Sequence, residues 1–381
     1  MTQLPRSTRY DAVVIGAGLI GLSCAWRLRR RGLSVLVIDR APRAGAGASD
    51  VAAGMLAPVT EADFGEEALL RVNRLGRERW PAFAAELEEH TGLPTGFRES
   101  GALVVAADRD DAEALRRLYH FHRELGLETE WLPPRRCRRE EPALSPRIAG
   151  GILAHDDAHA DPRATVRALE RAAGEVALGV EVEAVEHAGE RVTGVRTAAG
   201  PIECEAVIVA AGAWSASLAP DGAGPPVRPV KGQIVELRTR AGMDEPLSRI
   251  VRTPRCYMLA RGDGRMVLGA TVEEQGFDTT VTADGVYRLL EAAWEVLPEV
   301  GELELVGARA GLRPGTPDNG AVVGPDDALT GLVWATGHWR NGVLLAPLTG
   351  EAVAGLVAGD GLPDEVAPLA PGRFAAAGVR A

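Results

Sequence analysis

Apolar residues at the start of the chain fall into two short unbroken runs separated by a helical stripe. Residues 12–15 and 35–38 are wholly apolar and rich in β-branched types, which predicts two strands buried on both faces. Between them Leu19, Leu22, Ala25, Trp26 and Leu28 recur at helical spacing. Arg27 and residues 29–31 crowd the last turns, where the helix dipole favours cations, and Gly32 supplies a stop. The same textures continue downstream. Helices are predicted at 66–89, with Leu69, Val72, Trp80, Phe83 and Leu87 inward and a kink at Pro81, then at 110–125, at 163–173 after Asp161-Pro162, and at 284–297. Strands are predicted at 102–106, 148–153, 180–185, 192–197, 202–204, 206–212 and 230–237, with a hairpin of 257–260 and 266–271 across Gly262-Asp263-Gly264. Residues 41–56 carry no period. Such a small-residue segment suits either a flexible surface loop or a backbone that passes close to something flat or charged.

The order of these elements predicts an α/β fold of two interleaved domains. A Rossmann-type dinucleotide domain takes 1–91, 147–224 and 307–365. An α+β substrate domain built on an antiparallel sheet takes 92–146 and 225–306, and 366–381 form a C-terminal tail.

The first strand opens directly into Gly16, Gly18 and Gly21 at G-x-G-x-x-G spacing, and the second strand ends at Asp39. Gly16 permits the tight turn, Gly18 lets the backbone approach a pyrophosphate, Gly21 lets the helix lie close on the strands, and Asp39 is placed for ribose hydroxyls. This stretch leaves NAD and FAD both open. The far end of the chain separates them. Residues 332–335 form another buried strand, Gly337 turns, and a helix begins near 341–343 with Leu344, Leu345, Val353 and Leu356 inward. A flavin needs donors and positive potential at the N1 and O2 edge of its ring, whereas NAD needs no second helix N-terminus there, so the layout favours FAD.

Composition narrows the class. With 381 residues, 46% of them hydrophobic and 25% charged, the chain is long enough for two or three domain equivalents. A net charge of −11 argues against a nucleic-acid or anionic-membrane surface. Cys24, Cys137, Cys204 and Cys256 are widely spaced and read as reduced thiols. No apolar run reaches the ~18 residues of a membrane span and no leader pattern precedes the first strand, so the expectation is a cytoplasmic protein. Neither a metal-ligand spacing nor a nucleophile elbow is present. Lys231 is the only lysine, which we attribute to the compositional bias toward arginine and alanine.

The N-terminal fingerprint, GASDVAAGML, AVIVAAGAWS, PVKGQ, CYMLAR, GLRPGT and GHWRNGVLLAP stand in the order found in one family. Across residues 8–360 the chain resembles the D-amino-acid oxidase and sarcosine oxidase family of FAD-dependent amine oxidases, in its glycine oxidase branch of the ThiO type. The resemblance implies FAD contacts at Leu19 and Ile20, at Asp39 and Arg40, and at Ala48 and Ser49. Ala53, Gly54 and Met55 would run beside the flavin, and Val182 would hold the adenine side. Gly212 and a stretch of His338, Trp339, Arg340, Asn341, Gly342, Val343 and Leu344 would complete the cofactor site. It implies substrate contacts at Tyr257, Arg313 and Arg340, because an amino-acid carboxylate in a dry pocket calls for a planar bidentate donor. The alternative for Arg313 is a structural pair with an acid in the domain interface; for Arg340, service to the flavin loop; for Tyr257, an ordinary hairpin position. Trp339 and Val272 depart from the family pattern.

The implied reaction is hydride transfer from Cα of the neutral amine to flavin N5, then imine hydrolysis to glyoxylate and ammonia and release of hydrogen peroxide. No residue stands out as a general base. Absence of a cysteine after Cys256 implies noncovalent FAD. The family role implied is supply of the glycine imine for the thiazole of thiamine, by a homo-oligomer such as a tetramer acting on a small amino acid and dioxygen. Competing readings are a D-amino-acid or sarcosine oxidase, a quinone-linked dehydrogenase at the membrane surface and a nonenzymatic flavin-binding module. Acidic charge and the lack of a basic amphipathic helix weigh against the quinone-linked reading.

Overall fold

In the computed structural model, which describes residues 7, 9–222 and 224–376, the two apolar runs become neighbouring parallel strands. Arg9–Ile15 lies between Val35–Asp39 and Gly200–Val209, with Glu175–Leu178 outside one and Leu332–Thr336 outside the other, all parallel. Val322–Pro325 adds an antiparallel edge. A meander of Val182–Ala188 and Arg191–Thr197 joins through Gly200–Val209, giving eight strands.

Alternation within the runs explains their unbroken apolarity. Ala12, Val14, Val35 and Val37 face one core, beneath the helices Leu19–Arg30, Glu67–Thr91, Pro162–Ala173 and Gly342–Val357. Val13, Ile15, Leu36 and Ile38 face a second core closed by the meander. Burial on both faces is what a central parallel strand requires. Pro81 lies within a single 25-residue helix. The helix ends at Gly92, whose φ of +68° a residue with a side chain seldom adopts.

A second eight-stranded sheet carries the substrate side. Its order is Glu304–Gly315, Arg228–Arg238, Arg265–Gly269, Tyr257–Ala260, Ile250–Arg252, Ala102–Ala106, Gly150–Ala154 and Thr129–Leu132. One face packs under Ala283–Val296, which buries Leu289, Ala292, Ala293 and Val296. The opposite face, with Ala102, Ile234, Ile250, Leu259 and Val267, turns toward Val51, Ala53 and Met55 of the first domain. That meeting of sheet and small-residue segment places the site.

Several expectations need correction. The second sheet is not purely antiparallel, because Ile250–Arg252 and Ala102–Ala106 run parallel. Gly150–Ala154 falls in a range assigned to the dinucleotide domain (147–224), and Glu304–Gly315 straddles the expected boundary with most of its length in 307–365, yet both are hydrogen-bonded within the second sheet. Residues 202–204 and 206–212 are not separate strands; pairing on both edges merges their first part into Gly200–Val209. Residues 41–56 contain a helical turn, Ala48–Val51, and a two-residue strand, Met55–Leu56, paired with Ala158–His159. Within the C-terminal tail Val366, Leu369 and Phe374 are buried; residues 377–381 lie outside the described residues. Lys231, discounted above, is a core residue only 1% exposed. Among the described residues no helix is long and apolar enough to cross a membrane.

Candidate functional site

A cavity of about 870 Å³ runs between the two sheets, from the glycine turn to the second sheet's inward face. At the turn, Gly16 adopts φ +114°, and a Cβ there would lie 2.3 Å from the Ala210 carbonyl oxygen. Gly18 lines the cavity, where a Cβ would meet Ser49 Oγ at 3.5 Å, an ordinary contact. The helix behind it is capped from a distance: the Leu19 N–H donates to Ser49 Oγ at 3.0 Å. Asp39 accepts from the Ala17 and Ala41 N–H groups at 2.7 and 2.8 Å, which fixes its carboxylate at the cavity wall. Arg40 lies over the Trp214 ring at 4.4 Å and 3.6 Å from Glu181.

The middle of the cavity is lined by residues 52–55 and by Gly342 and Val343. Arg261, buried in the hairpin's outgoing turn, holds this strap. Its guanidinium donates to the Ala53 carbonyl at 2.5 Å and the Ala160 carbonyl at 2.8 Å, and burial lowers its pKa to about 10. His338 is also buried. Its Nε2 meets Thr349 Oγ1 at 2.9 Å, and burial pushes its pKa down to about 3, so the ring is neutral.

Tyr257 and Arg313 close the far end. Each side chain lies flat on a glycine of the neighbouring strand: a Cβ at Gly269 would fall 2.2 Å from Tyr257 Oη, and one at Gly232 would fall 2.2 Å from Arg313 Nη1. Arg313 donates to the Thr271 and Lys231 carbonyls at 3.1 and 3.4 Å. Among the described residues no carboxylate comes within 4.0 Å of it. Burial lowers its pKa, while Tyr257 and Glu61 pull the other way. Burial raises the Tyr257 pKa, against the Arg313 charge. Trp339 forms a further wall, with its backbone at φ +47° and its ring 5.9 Å from the Arg313 guanidinium. Behind Arg313, Lys231 pairs with Asp278 at 2.8 Å and Glu273 at 3.6 Å, and the hydrogen bond to Asp278 raises its pKa.

Most of the residues anticipated from sequence line this one cavity, from Gly16 through Asp39, Val182 and Gly212 to Tyr257, Arg313 and Trp339. Four differ. Gly21 is packed beneath the turn, where a Cβ would meet the Gly16 carbonyl oxygen at 1.9 Å. Asn341 is the residue preceding the helix Gly342–Val357, and Leu344 points into the helical core; neither lines the cavity. Arg340 lines it but is committed to Glu66 at 2.5 Å. Sequence reasoning missed Trp214, Arg261, Glu61 and Arg252, although Trp214 and Arg261 stand within AVIVAAGAWS and CYMLAR. Glu61 lines the cavity and pairs with Arg252 at 3.5 Å, and Arg252 also donates to the Thr60 carbonyl. Buried Asp157 anchors that segment, accepting from the Val59 and Thr60 N–H groups at 3.1 and 3.0 Å and from Thr60 Oγ1 at 2.6 Å. Its burial raises its pKa to about 6.

A glycine-floored turn, a wall carboxylate and an elongated cavity suit a dinucleotide, with the isolated Arg313 beyond it. Comparison with known proteins agrees. Residues 11–356 match the model of the DAO family, FAD dependent oxidoreductase. The chain is 34% identical to the glycine oxidase of Geobacillus kaustophilus over 354 residues, covering 92% of this chain and 93% of that protein. It is 33% identical over 381 residues to the bifunctional protein ThiO/ThiG of Synechocystis, covering 96% of this chain but spanning about half, 54%, of that longer protein. The crystal structure of the Geobacillus kaustophilus glycine oxidase superposes with a TM-score of 0.89 at 33% identity, covering 96% of this chain and 99% of that one. The chain therefore belongs to the DAO family of FAD-dependent oxidoreductases, as an FAD-dependent amine oxidase.

Proposed function

We infer that the protein oxidises glycine and other small primary or secondary amines, such as sarcosine and D-alanine, to the corresponding oxo acid, amine or ammonia, and hydrogen peroxide. For glycine, water and dioxygen are consumed and glyoxylate, ammonia and peroxide are formed. The observation that carries this reading is the Arg313 guanidinium, half-buried at the end of a dinucleotide cavity, its pKa lowered by desolvation, and without a carboxylate within 4.0 Å among the described residues. A partly desolvated cation in that state is costly, and a ligand carboxylate relieves the cost. Bound FAD supplies the hydride acceptor and the route to dioxygen.

The chain's own part is to bind, orient and exclude water. Arg313 offers two parallel N–H donors to a carboxylate, with Tyr257 lining the same end, and the Thr271 and Lys231 carbonyls fix the plane of the guanidinium. Trp339 and the small residues 52–55 line the cavity between Arg313 and the glycine turn, and with FAD bound they would narrow the space in which a substrate's Cα meets the flavin. Arg340, paired with Glu66, serves the rim of the cavity. The reading includes a noncovalent FAD, a place in thiamine thiazole formation, a cytoplasmic location and a homo-oligomeric, tetrameric state. The deciding assay is peroxide release under air with glycine, sarcosine and D-alanine. Peroxide from at least one, with glycine among the best, is expected; none from any of the three ends the reading.

A further inference from the structure

Glu61 has no part in the account above, yet it lines the substrate end of the cavity. Its side chain is only 9% exposed, on a segment that buried Asp157 ties down through three hydrogen bonds. The backbone that carries the carboxylate is therefore fixed on its N-terminal side, and the carboxylate itself is held by Arg252 at 3.5 Å. The other cations lining that end each have a carboxylate: Arg252 has Glu61 itself, at 3.5 Å, Arg255 has Glu295 and Arg340 has Glu66. Among the described residues Arg313 is left as the cation of that end without a carboxylate within 4.0 Å, and Glu61 is the carboxylate whose charge acts on both Arg313 and Tyr257. Arg313 and Glu61 are more than 4.0 Å apart, so they face one space without closing on each other.

We propose that Glu61 is a specificity-determining residue that accepts an N–H bond from the substrate's amino group, so that Arg313 and Glu61 together select a small zwitterion over a simple carboxylate. A carboxylate ligand on Arg313 that carries an amine two bonds from its carboxyl carbon presents N–H donors toward Glu61. A ligand of the same size without the amine meets only repulsion from Glu61. The bond forms with either protonation state of the amine, because ammonium and neutral amine both carry N–H donors. Arg252, 3.5 Å from Glu61, offsets part of its charge. The proposal rests on the reading of Arg313 as the carboxylate anchor.

The test compares glycine with acetate on FAD-loaded protein, wild type against Glu61→Gln and Glu61→Asp. Glycine is followed as KM for peroxide release, and acetate as a dissociation constant from perturbation of the flavin's visible absorbance. In Glu61→Gln the glycine KM should rise roughly 10- to 100-fold while acetate binds at least about threefold more tightly, with Glu61→Asp recovering part of the glycine affinity. These opposite signs are what a merely structural role would not give. Glycine and acetate weakening together, or neither moving, overturns the proposal. Arg313→Ala keeps the two readings apart: acetate affinity retained in that variant removes the anchor itself, whatever Glu61 does.

Discussion

At the scale of single residues, the cavity depends on a charge that its surroundings leave incomplete. Burial makes the Arg313 guanidinium harder to keep ionised, and the groups that hold it are two backbone carbonyls, which orient but do not neutralise. Replacing it by alanine removes a charge-assisted bidentate contact, for which a loss of 2–5 kcal/mol is typical. The glycine KM in Arg313→Ala should therefore rise roughly a hundredfold or more with FAD still bound, and Arg313→Lys, a point donor without the planar fork, should recover only part of it. Steady-state peroxide kinetics with a parallel flavin spectrum checks this; a KM within about twofold of wild type contradicts it. Tyr257 and Arg313 were legible from motifs because their neighbours are as distinctive as they are. Glu61 was not, because it opens an acid-rich stretch with Asp63, Glu66 and Glu67 that reads as a solvated turn. Nothing local signals that Asp157, far along the chain, folds that stretch inward.

At the scale of elements, the second sheet acts as a plate on which reactive side chains are laid. Arg228–Arg238 pairs along its whole length with Glu304–Gly315, which puts Gly232 opposite Gly311 and opens the space the Arg313 side chain occupies. Gly232→Ala should displace the guanidinium, because the new methyl would stand 2.2 Å from Nη1. A roughly tenfold rise in glycine KM is expected with FAD affinity unchanged. Gly307→Ala on the paired strand meets nothing within 4 Å and should leave KM alone. Equal effects of the two substitutions would show that the clearance at Gly232 is not what matters. Short apolar strands and capped helices were readable here from periodicity alone. Membership of Glu304–Gly315 in this sheet was not, since its exposed first half lacks a clean alternation and its partner strand lies some seventy residues earlier.

On the scale of the whole molecule, the chain passes between the two sheets several times, and both contribute walls to one cavity. A ligand that fills it ties the domains together. FAD added to apoprotein at about 100 times its dissociation constant should stabilise the fold by ~2.7 kcal/mol and raise a single melting transition, whereas NAD should leave it in place. Two separate transitions, only one moving with FAD, would mean that the domains melt independently. Interleaving was readable from the return of a strand, glycine and helix at residues 332–343, but the exact crossings were not. Gly150–Ala154 and Glu304–Gly315 look like any buried or half-buried strand, and sheet membership is decided by partners distant in sequence.

Lys231, the only lysine, is buried to 1% exposure with its ammonium held by Asp278 and Glu273. For the protein chemist this leaves the folded protein without a lysine within reach of acylating dyes, aldehydes and amine-directed cross-linkers. Once the second sheet opens, one reactive ε-amine is exposed at a known place. Labelling of a single tryptic arginine-to-arginine peptide then counts the molecules that have unfolded.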